Sequence, residues 1–129
     1  MTNNIDGSRV GLVRAYDPPE DGAGSRILVD RVWPRGRSRA ELRIDEWLPE
    51  VAPSADLRRW FGHVVDRWPE FRTRYRAELE HGAQAPALAQ LEARAERGPI
   101  TLVYGARDRE HNQAVVLAEV LTERLARTG

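Results

Sequence analysis

Two short stretches of the chain concentrate groups able to hold an anion or move a proton. The first is Asp30-Arg31-Val32-Trp33-Pro34-Arg35-Gly36, and the second is Tyr104-Gly105-Ala106-Arg107-Asp108-Arg109-Glu110-His111-Asn112. Arginine forks clamp phosphate or carboxylate through paired N–H donors. Histidine beside a carboxylate can exchange a proton near neutrality. Each stretch follows an apolar run that reads as a buried strand, and α/β proteins collect ligands where such strand ends meet. The expectation is a pocket for an anionic small molecule, a phosphate or a carboxylate. Arg31, Arg35, Trp33, Tyr104, Arg107 and Asn112 are its candidate binding residues. His111 and His63 are candidate general acid/base groups, with Asp30 or Asp108 as the carboxylate that orients them. No reaction is named by these residues, so enzyme and binding protein both stay open.

Composition narrows the chemistry. The chain has 129 residues and no cysteine, which excludes disulfides and thiolate nucleophiles or metal ligands. It also has no lysine, since all twenty basic residues are arginine. Schiff-base chemistry and a Walker-type phosphate loop are thereby excluded. Arginine forks, backbone amides and helix ends remain as the means of holding an anion. Ser8, Ser25, Ser38 and Ser54 fall in termini, turns or caps and are poor nucleophile candidates. The formal net charge is zero, which argues against general coating of nucleic acid. One local exception is the loop from Asp30 to Arg43, whose five arginines leave it at net +3. No apolar run approaches the ~18 residues of a membrane span, and Met1 to Asp6 lacks the features of a signal peptide. A cytoplasmic protein with no membrane contact is expected.

The elements that would position these groups follow from periodicity. Arg9 to Tyr16 and Ile27 to Val32 read as strands. The loop from Asp17 to Gly24 is too short for a parallel crossover to a neighbour, so the two strands form a hairpin or are not adjacent. Leu42 to Leu48 is ambiguous between a strand and a short helix from Ser38. Ser54 caps a helix ending at Gly62. Asp66 is expected to cap the next, whose Trp68, Phe71, Tyr75 and Leu79 make one apolar face up to Gly82. A further helix spans Pro86 to Arg97, and Ile100 to Tyr104 reads as a central parallel strand. Asp108 is then expected to cap a last, substantially buried helix and to leave free amides for an anion beside Arg107. With no repeat or linker, residues 1–129 are expected to form a single three-layer α/β domain, its small, mostly parallel sheet flanked by helices.

Longer motifs carry a resemblance. They include Tyr16-Asp17-Pro18-Pro19, Leu28-Val29-Asp30-Arg31-Val32-Trp33-Pro34-Arg35-Gly36, Leu57-Arg58-Arg59-Trp60-Phe61-Gly62-His63 and Arg67-Trp68-Pro69-Glu70-Phe71. They continue through Thr101-Leu102-Val103-Tyr104, Ala106-Arg107-Asp108, His111-Asn112 and Ala114-Val115-Val116-Leu117. In these the chain resembles the bacterial DUF488 family, its short YeaO-like members in particular, from about Val10 to Leu121. The resemblance implies a three-layer α/β domain and assigns no activity. Longer relatives carry cysteines after the last strand. This chain has Tyr104 and His111 in that region, so no thiol chemistry transfers to it.

Each candidate also has a structural reading. Trp33 can simply cover the core, Asp30 and Arg31 can form an ion pair that holds a loop, and His63 can complement a helix dipole. His81 beside Gly82 reads as a dipole partner only. Three other functions compete with the small-molecule pocket. The basic loop Arg31 to Arg43 suits RNA or DNA, less well than a small anion because the whole chain is neutral. Exposed Trp33 and Trp47 would anchor a protein partner. A metal site or axial haem ligation by His63, with arginines on the propionates, is permitted without any ligand spacing to support it. No metal ligand and no particular cofactor is predicted, and the sequence sets no oligomeric state.

Overall fold

Four apolar runs become the strands of one sheet in the computed structural model, which describes residues 9–18 and 24–128. β1 is Val10–Arg14, β2 is Ser25–Leu28, β3 is Glu46–Trp47 and β4 is Ile100–Tyr104. They lie in the order β1-β4-β2-β3, and every pair is parallel. β4 sits between β1 and β2, so the short link joins strands that are not neighbours, and the hairpin alternative is excluded. The expected loop from Asp17 to Gly24 lies mostly outside the described residues. All five β4 residues are buried, as a strand flanked by partners and covered on both faces requires.

The ambiguous segment after the first arginine-rich loop divides between both readings. A one-turn helix, α1 (Arg39–Leu42), is closed by a capping box: Ser38 Oγ accepts from the Glu41 amide at 3.1 Å, and Glu41 Oε1 accepts from the Ser38 amide at 2.7 Å. Two residues of β3 follow. α2 (Ala55–Phe61) starts at Ser54, whose Oγ accepts from the Leu57 amide, and stops at left-handed Gly62. α3 (Trp68–Glu78) does not begin on Asp66, contrary to the sequence expectation. Asp66 lies in a 3-10 turn, Val65–Arg67, and makes no cap; Pro69 in the first helical turn starts the helix instead. α4 (Gln84–Arg97) and α5 (Gln113–Thr128) flank β4 in the chain.

Alternation along the strands produces two unequal cores. Ile27, Val29, Ile100, Leu102 and Tyr104 pack with buried residues from α2, α3, α4 and α5. Leu28 and Val103 join Ala15, Leu42 and Ile44 in a smaller cluster. The three layers are present but lopsided, with four helices on one face and α1 with its flanking loops on the other. Trp68, Phe71, Tyr75 and Leu79 form the expected inner face of α3. Tyr75 is fully buried and its hydroxyl donates to the Val51 carbonyl at 2.5 Å. Burial pushes its phenol well above the ordinary value.

That bond supplies a test of the larger core. Tyr75→Phe leaves the buried Val51 carbonyl unpaired, which costs about 1–3 kcal/mol. Urea unfolding of the variant against the parent protein measures the difference.

Candidate functional site

The two cores decide where the sheet opens. The chain leaves β2 towards α1 on the thin face and leaves β4 towards α5 on the thick face. Adjacent parallel strands that diverge in this way leave a crevice beyond their carboxyl ends. Backbone pairing between them ends with the Val29 amide on the Val103 carbonyl at 3.1 Å. β2 is therefore shorter than the sequence suggests, and Asp30 begins the loop rather than continuing the strand.

Asp30 fills the gap. Its Oδ2 accepts from the Gly105 amide at 2.9 Å, and its Oδ1 accepts from the side-chain amide of Gln113, the first residue of α5. Burial pushes its carboxyl above the ordinary 3.8, against those two bonds and the positive charge of Arg58, which pull it down. A Cβ at Gly105 would stand 2.9 Å from Asp30 Oδ2, so a larger residue there would force the carboxylate to shift. The expected Asp30–Arg31 ion pair does not form: Asp30 turns inward to the strand end and Arg31 stays exposed.

Above Asp30 lies a cleft of about 460 Å³. Arg31, Trp33 and Arg35 line it from the loop after β2, and Gly105, Ala106, Asn112 and Gln113 from the segment after β4. The two motifs thus converge in space. α2 and the turn after it add Arg58, Phe61 and His63, and β1 leads into Tyr16. His63 has φ +60°, directly after Gly62 at φ +51°. Two consecutive left-handed residues turn the chain sharply and bring the imidazole to the cleft wall, at a conformational cost of order 1 kcal/mol for the non-glycine residue. Its ring centroid lies 6.0 Å from that of Phe61.

Charge in the cleft is uneven. Arg31, Arg35 and Arg58 face it against the single carboxylate Asp30, a net of +2. Arg58 donates through Nε to the Pro53 carbonyl at 3.2 Å. Among the described residues, the Arg31 and Arg35 guanidiniums take no hydrogen bond or ion pair. Trp33 and Trp47 brace the loop. Their rings meet edge to face at 5.4 Å, Trp33 Nε1 donates to the Arg37 carbonyl at 2.6 Å, and Trp47 Nε1 to the Asp30 carbonyl at 2.8 Å.

The rest of the second motif does not line the cleft. Tyr104 is buried in the larger core, and Arg107 is exposed outside the lining. Asp108 is not the cap of α5. Its Oδ1 accepts from the Glu110 and His111 amides at 2.9 and 3.0 Å, forming a turn before the helix. Those amide bonds and the contact with His111 hold its carboxyl below the usual range. Asn112 caps α5: Oδ1 accepts from the Ala114 and Val115 amides at 2.9 and 3.2 Å, and Nδ2 donates to the Asp108 carbonyl. The amides expected to seat an anion are therefore occupied by the cap itself. His111 Nδ1 lies 2.9 Å from Asp108 Oδ2, and its ring stands edge-on to Trp68 at 5.2 Å. The histidine–carboxylate pair is formed, but it lies outside the cleft lining.

Sequence reasoning missed Arg58, Gln113, Tyr16 and Phe61 as cleft residues. The only signal for Arg58 was its place beside the Leu57 and Phe61 stripe on α2. Among the described residues, no group of three or more His, Asp or Glu is placed to hold a metal ion, and no helix is long and apolar enough to cross a membrane.

A parallel α/β fold with an arginine-lined crevice at a strand switch point, carrying the motifs quoted above, defines the class. The family model described as the inactive DUF488-N3 subclade matches residues 9–129, and the chain belongs to the DUF488 family. The uncharacterized protein YeaO of Escherichia coli (strain K12) is 46% identical over 110 residues, 84% of this chain and 92% of that protein. The uncharacterized proteins Mb3100c of Mycobacterium bovis and Rv3073c of Mycobacterium tuberculosis are each 38% identical over 117 residues, covering 91% of this chain and 97% of theirs. No solved structure matches the chain.

Two measurements check the local assignments. Asn112→Ala removes the α5 cap and is expected to cost about 1–2 kcal/mol in urea unfolding, with Asp108→Ala costing less. Asp30 has a native pKa raised above 3.8, so the folded state holds its proton more tightly than the unfolded chain. Its contribution to stability falls as pH rises from 3.8 towards the raised native value and is level above that. The stability of the parent protein relative to Asp30→Asn should decline across that window; a rise instead would show that the hydrogen bonds outweigh burial.

Proposed function

We propose that the protein binds an anionic small molecule, a phosphate or a carboxylate, in the cleft between the ends of β2 and β4. The observation that carries this reading is the excess of guanidinium over carboxylate around the cleft, three arginines against Asp30 alone. Arg31 and Arg35 are exposed and unpartnered among the described residues, and Arg58 is tied only through Nε. Arginine in that condition is available for bidentate contact with an incoming anion. Asp30 offsets one of the three charges but forms no ion pair with any of them among the described residues, its oxygens accepting from Gly105 and Gln113 instead.

Binding without turnover is the better supported form. The histidine–carboxylate pair His111–Asp108 stands outside the cleft, while His63 inside it has no carboxylate partner among its hydrogen bonds in the described residues. The matching subclade is described as inactive, in keeping with a site that binds and does no chemistry. The nucleic-acid reading finds less support in the loop itself. Arg37 lies over the Tyr16 ring at 5.3 Å, Arg39 donates to the Asp45 carbonyl, and Arg43 is engaged as well. Only Arg31 and Arg35 of its five arginines face outward and free, too few for the steep salt dependence of a phosphate-backbone binder.

Isothermal titration of the full chain with phosphate, sulfate and citrate tests the reading. Arg35→Ala should weaken the tightest of these about tenfold, the loss of one charge-assisted contact, with the thermal midpoint unchanged. Equal affinity in parent and variant, or a variant that unfolds, would make Arg35 structural and remove the basis of the proposal.

A further inference from the structure

The walls of the cleft are as selective in character as its charge. Their apolar part comes from aromatic rings, prolines, alanines and one valine, with no leucine, isoleucine or methionine. Phe61 and Phe71 are stacked at 4.4 Å with an angle of 23° between planes, and Phe61 also meets Trp68 at 6.0 Å. Trp68 in turn meets His111 at 5.2 Å. His63 therefore ends a run of ring contacts that extends away from the cleft. Tyr16, also in the lining, is fixed by its own contacts: the Arg14 and Arg37 guanidiniums lie over its ring at 5.4 and 5.3 Å, and its hydroxyl donates to the Arg35 carbonyl at 3.4 Å. Rings and prolines have few rotamers to lose, so such walls are set before a ligand arrives and suit a flat, rigid group better than a flexible chain.

Two further observations restrict the charged end. The surplus of +2 is matched by a dianion, and its three arginines come from two separate segments, the loop after β2 and α2. Phosphate monoesters carry about −1.5 to −2 near pH 7, with three oxygens able to meet forks from different sides. A carboxylate brings one charge and two oxygens. Asp30 adds one more element. Each of its oxygens has a single hydrogen-bond donor among the described residues and keeps a lone pair, so a ligand N–H or O–H can be accepted at the cleft floor.

We propose that the cleft takes a phosphate monoester borne on a planar aromatic or heteroaromatic compound, with the ring against Phe61 and His63 and the dianion between Arg31, Arg35 and Arg58. This rests on the anion-binding reading above and narrows it to one ligand class. An aryl phosphate and a nucleoside monophosphate share that chemistry. They differ in the donors they offer to Asp30, which only the nucleotide supplies.

Isothermal titration of the full chain separates the cases, with inorganic phosphate, benzoate, phenyl phosphate, adenosine, AMP and UMP as probes. Phenyl phosphate or a nucleoside monophosphate should bind at least about tenfold tighter than inorganic phosphate, benzoate and adenosine. Comparable affinity for phenyl phosphate and AMP would identify ring and phosphate as what is read; binding of the nucleotides alone would add the donors that meet Asp30. Arg35→Gln and Arg58→Gln should each lower the monoester affinity about tenfold. Arg35 bears no structural bond through its side chain, so that variant stays informative if Arg58→Gln unfolds. Inorganic phosphate or benzoate binding as tightly as the monoesters would overturn this inference and leave the anion-binding proposal standing. No binding by any of the anions would overturn both.

Discussion

The Asp30 carboxylate is the group on which the arrangement of the cleft depends. It joins three elements at one point: the end of β2 that carries it, the Gly105 amide just past β4, and Gln113 at the start of α5. Hydrogen bonds to an ionised group stabilise by about 1.5–3 kcal/mol each, yet the carboxyl is still pushed up by burial. Desolvation therefore outweighs the two bonds and the Arg58 charge. A site that spends a carboxylate in this way costs stability, and it also withdraws negative charge from the arginines. Had Asp30 paired with Arg31, the net charge of the cleft would be the same, but one fewer guanidinium would be free to meet a ligand. The inward turn of one side chain is what leaves the cations free.

The lopsided layering explains why that cleft exists at this edge of the sheet. Four helices crowd one face, so β4 must feed α5 there, while β2 exits to the thin face and α1. Loops at the diverging ends carry the functional side chains, and the scaffold beneath them is rigid. The left-handed pair Gly62–His63 belongs to the same economy of short connections, since it turns α2 directly back towards the crevice. Backbone strain at a cleft residue is the kind of cost that surrounding packing must sustain, and Phe61 is buried against Phe71 directly before it.

Much of this was legible in the residues and some of it was not, for identifiable reasons. The strands were readable because apolar runs bounded by Gly and Pro have few other destinations, and β4, with its buried run, was placed residue for residue. β3 has only two residues, too few for the alternation across Leu42 to Leu48 to separate it from the one-turn helix before it. The starts of α3 and α5 were misplaced because an aspartate before an apolar stripe need not cap the helix: Asp66 makes no cap at all, and Asp108 caps a turn instead. Asp108 accepts two amides in a turn, and the next Asx residue with helix after it, Asn112, makes the cap. Convergence of the Arg31–Arg35 and post-β4 segments followed from parallel strands sharing an edge, which periodicity can suggest. Arg58 entered the cleft through the packing of α2 against α3 and the core, a tertiary fact with no local trace. Arg107 was misjudged by the same reasoning in reverse, since nothing in its neighbours says which way the turn faces.

In a chain whose every cation is arginine, an arginine in a motif says little; its state of pairing says more. Arg9 donates to the Ala95 and Glu96 carbonyls, and Arg14 to the Ala106 carbonyl. Arg72 and Arg76 meet Glu119, and Arg109 clamps Asp17 with two bonds at 2.7 and 3.0 Å. Arg94 pairs with Glu46 and Arg124 with Glu80 and Glu92. These arginines are part of how helices and strand ends are fastened, and most are surface pairs of small individual worth. Arg31 and Arg35 differ from these because the loop that bears them is already held without them, by the Trp33 and Trp47 indoles on its own carbonyls. A loop braced through tryptophan N–H groups leaves its guanidiniums unneeded for folding. That separation of bracing from charge suits an anion site: the backbone that bears the cations is held by neighbours that do not neutralise them.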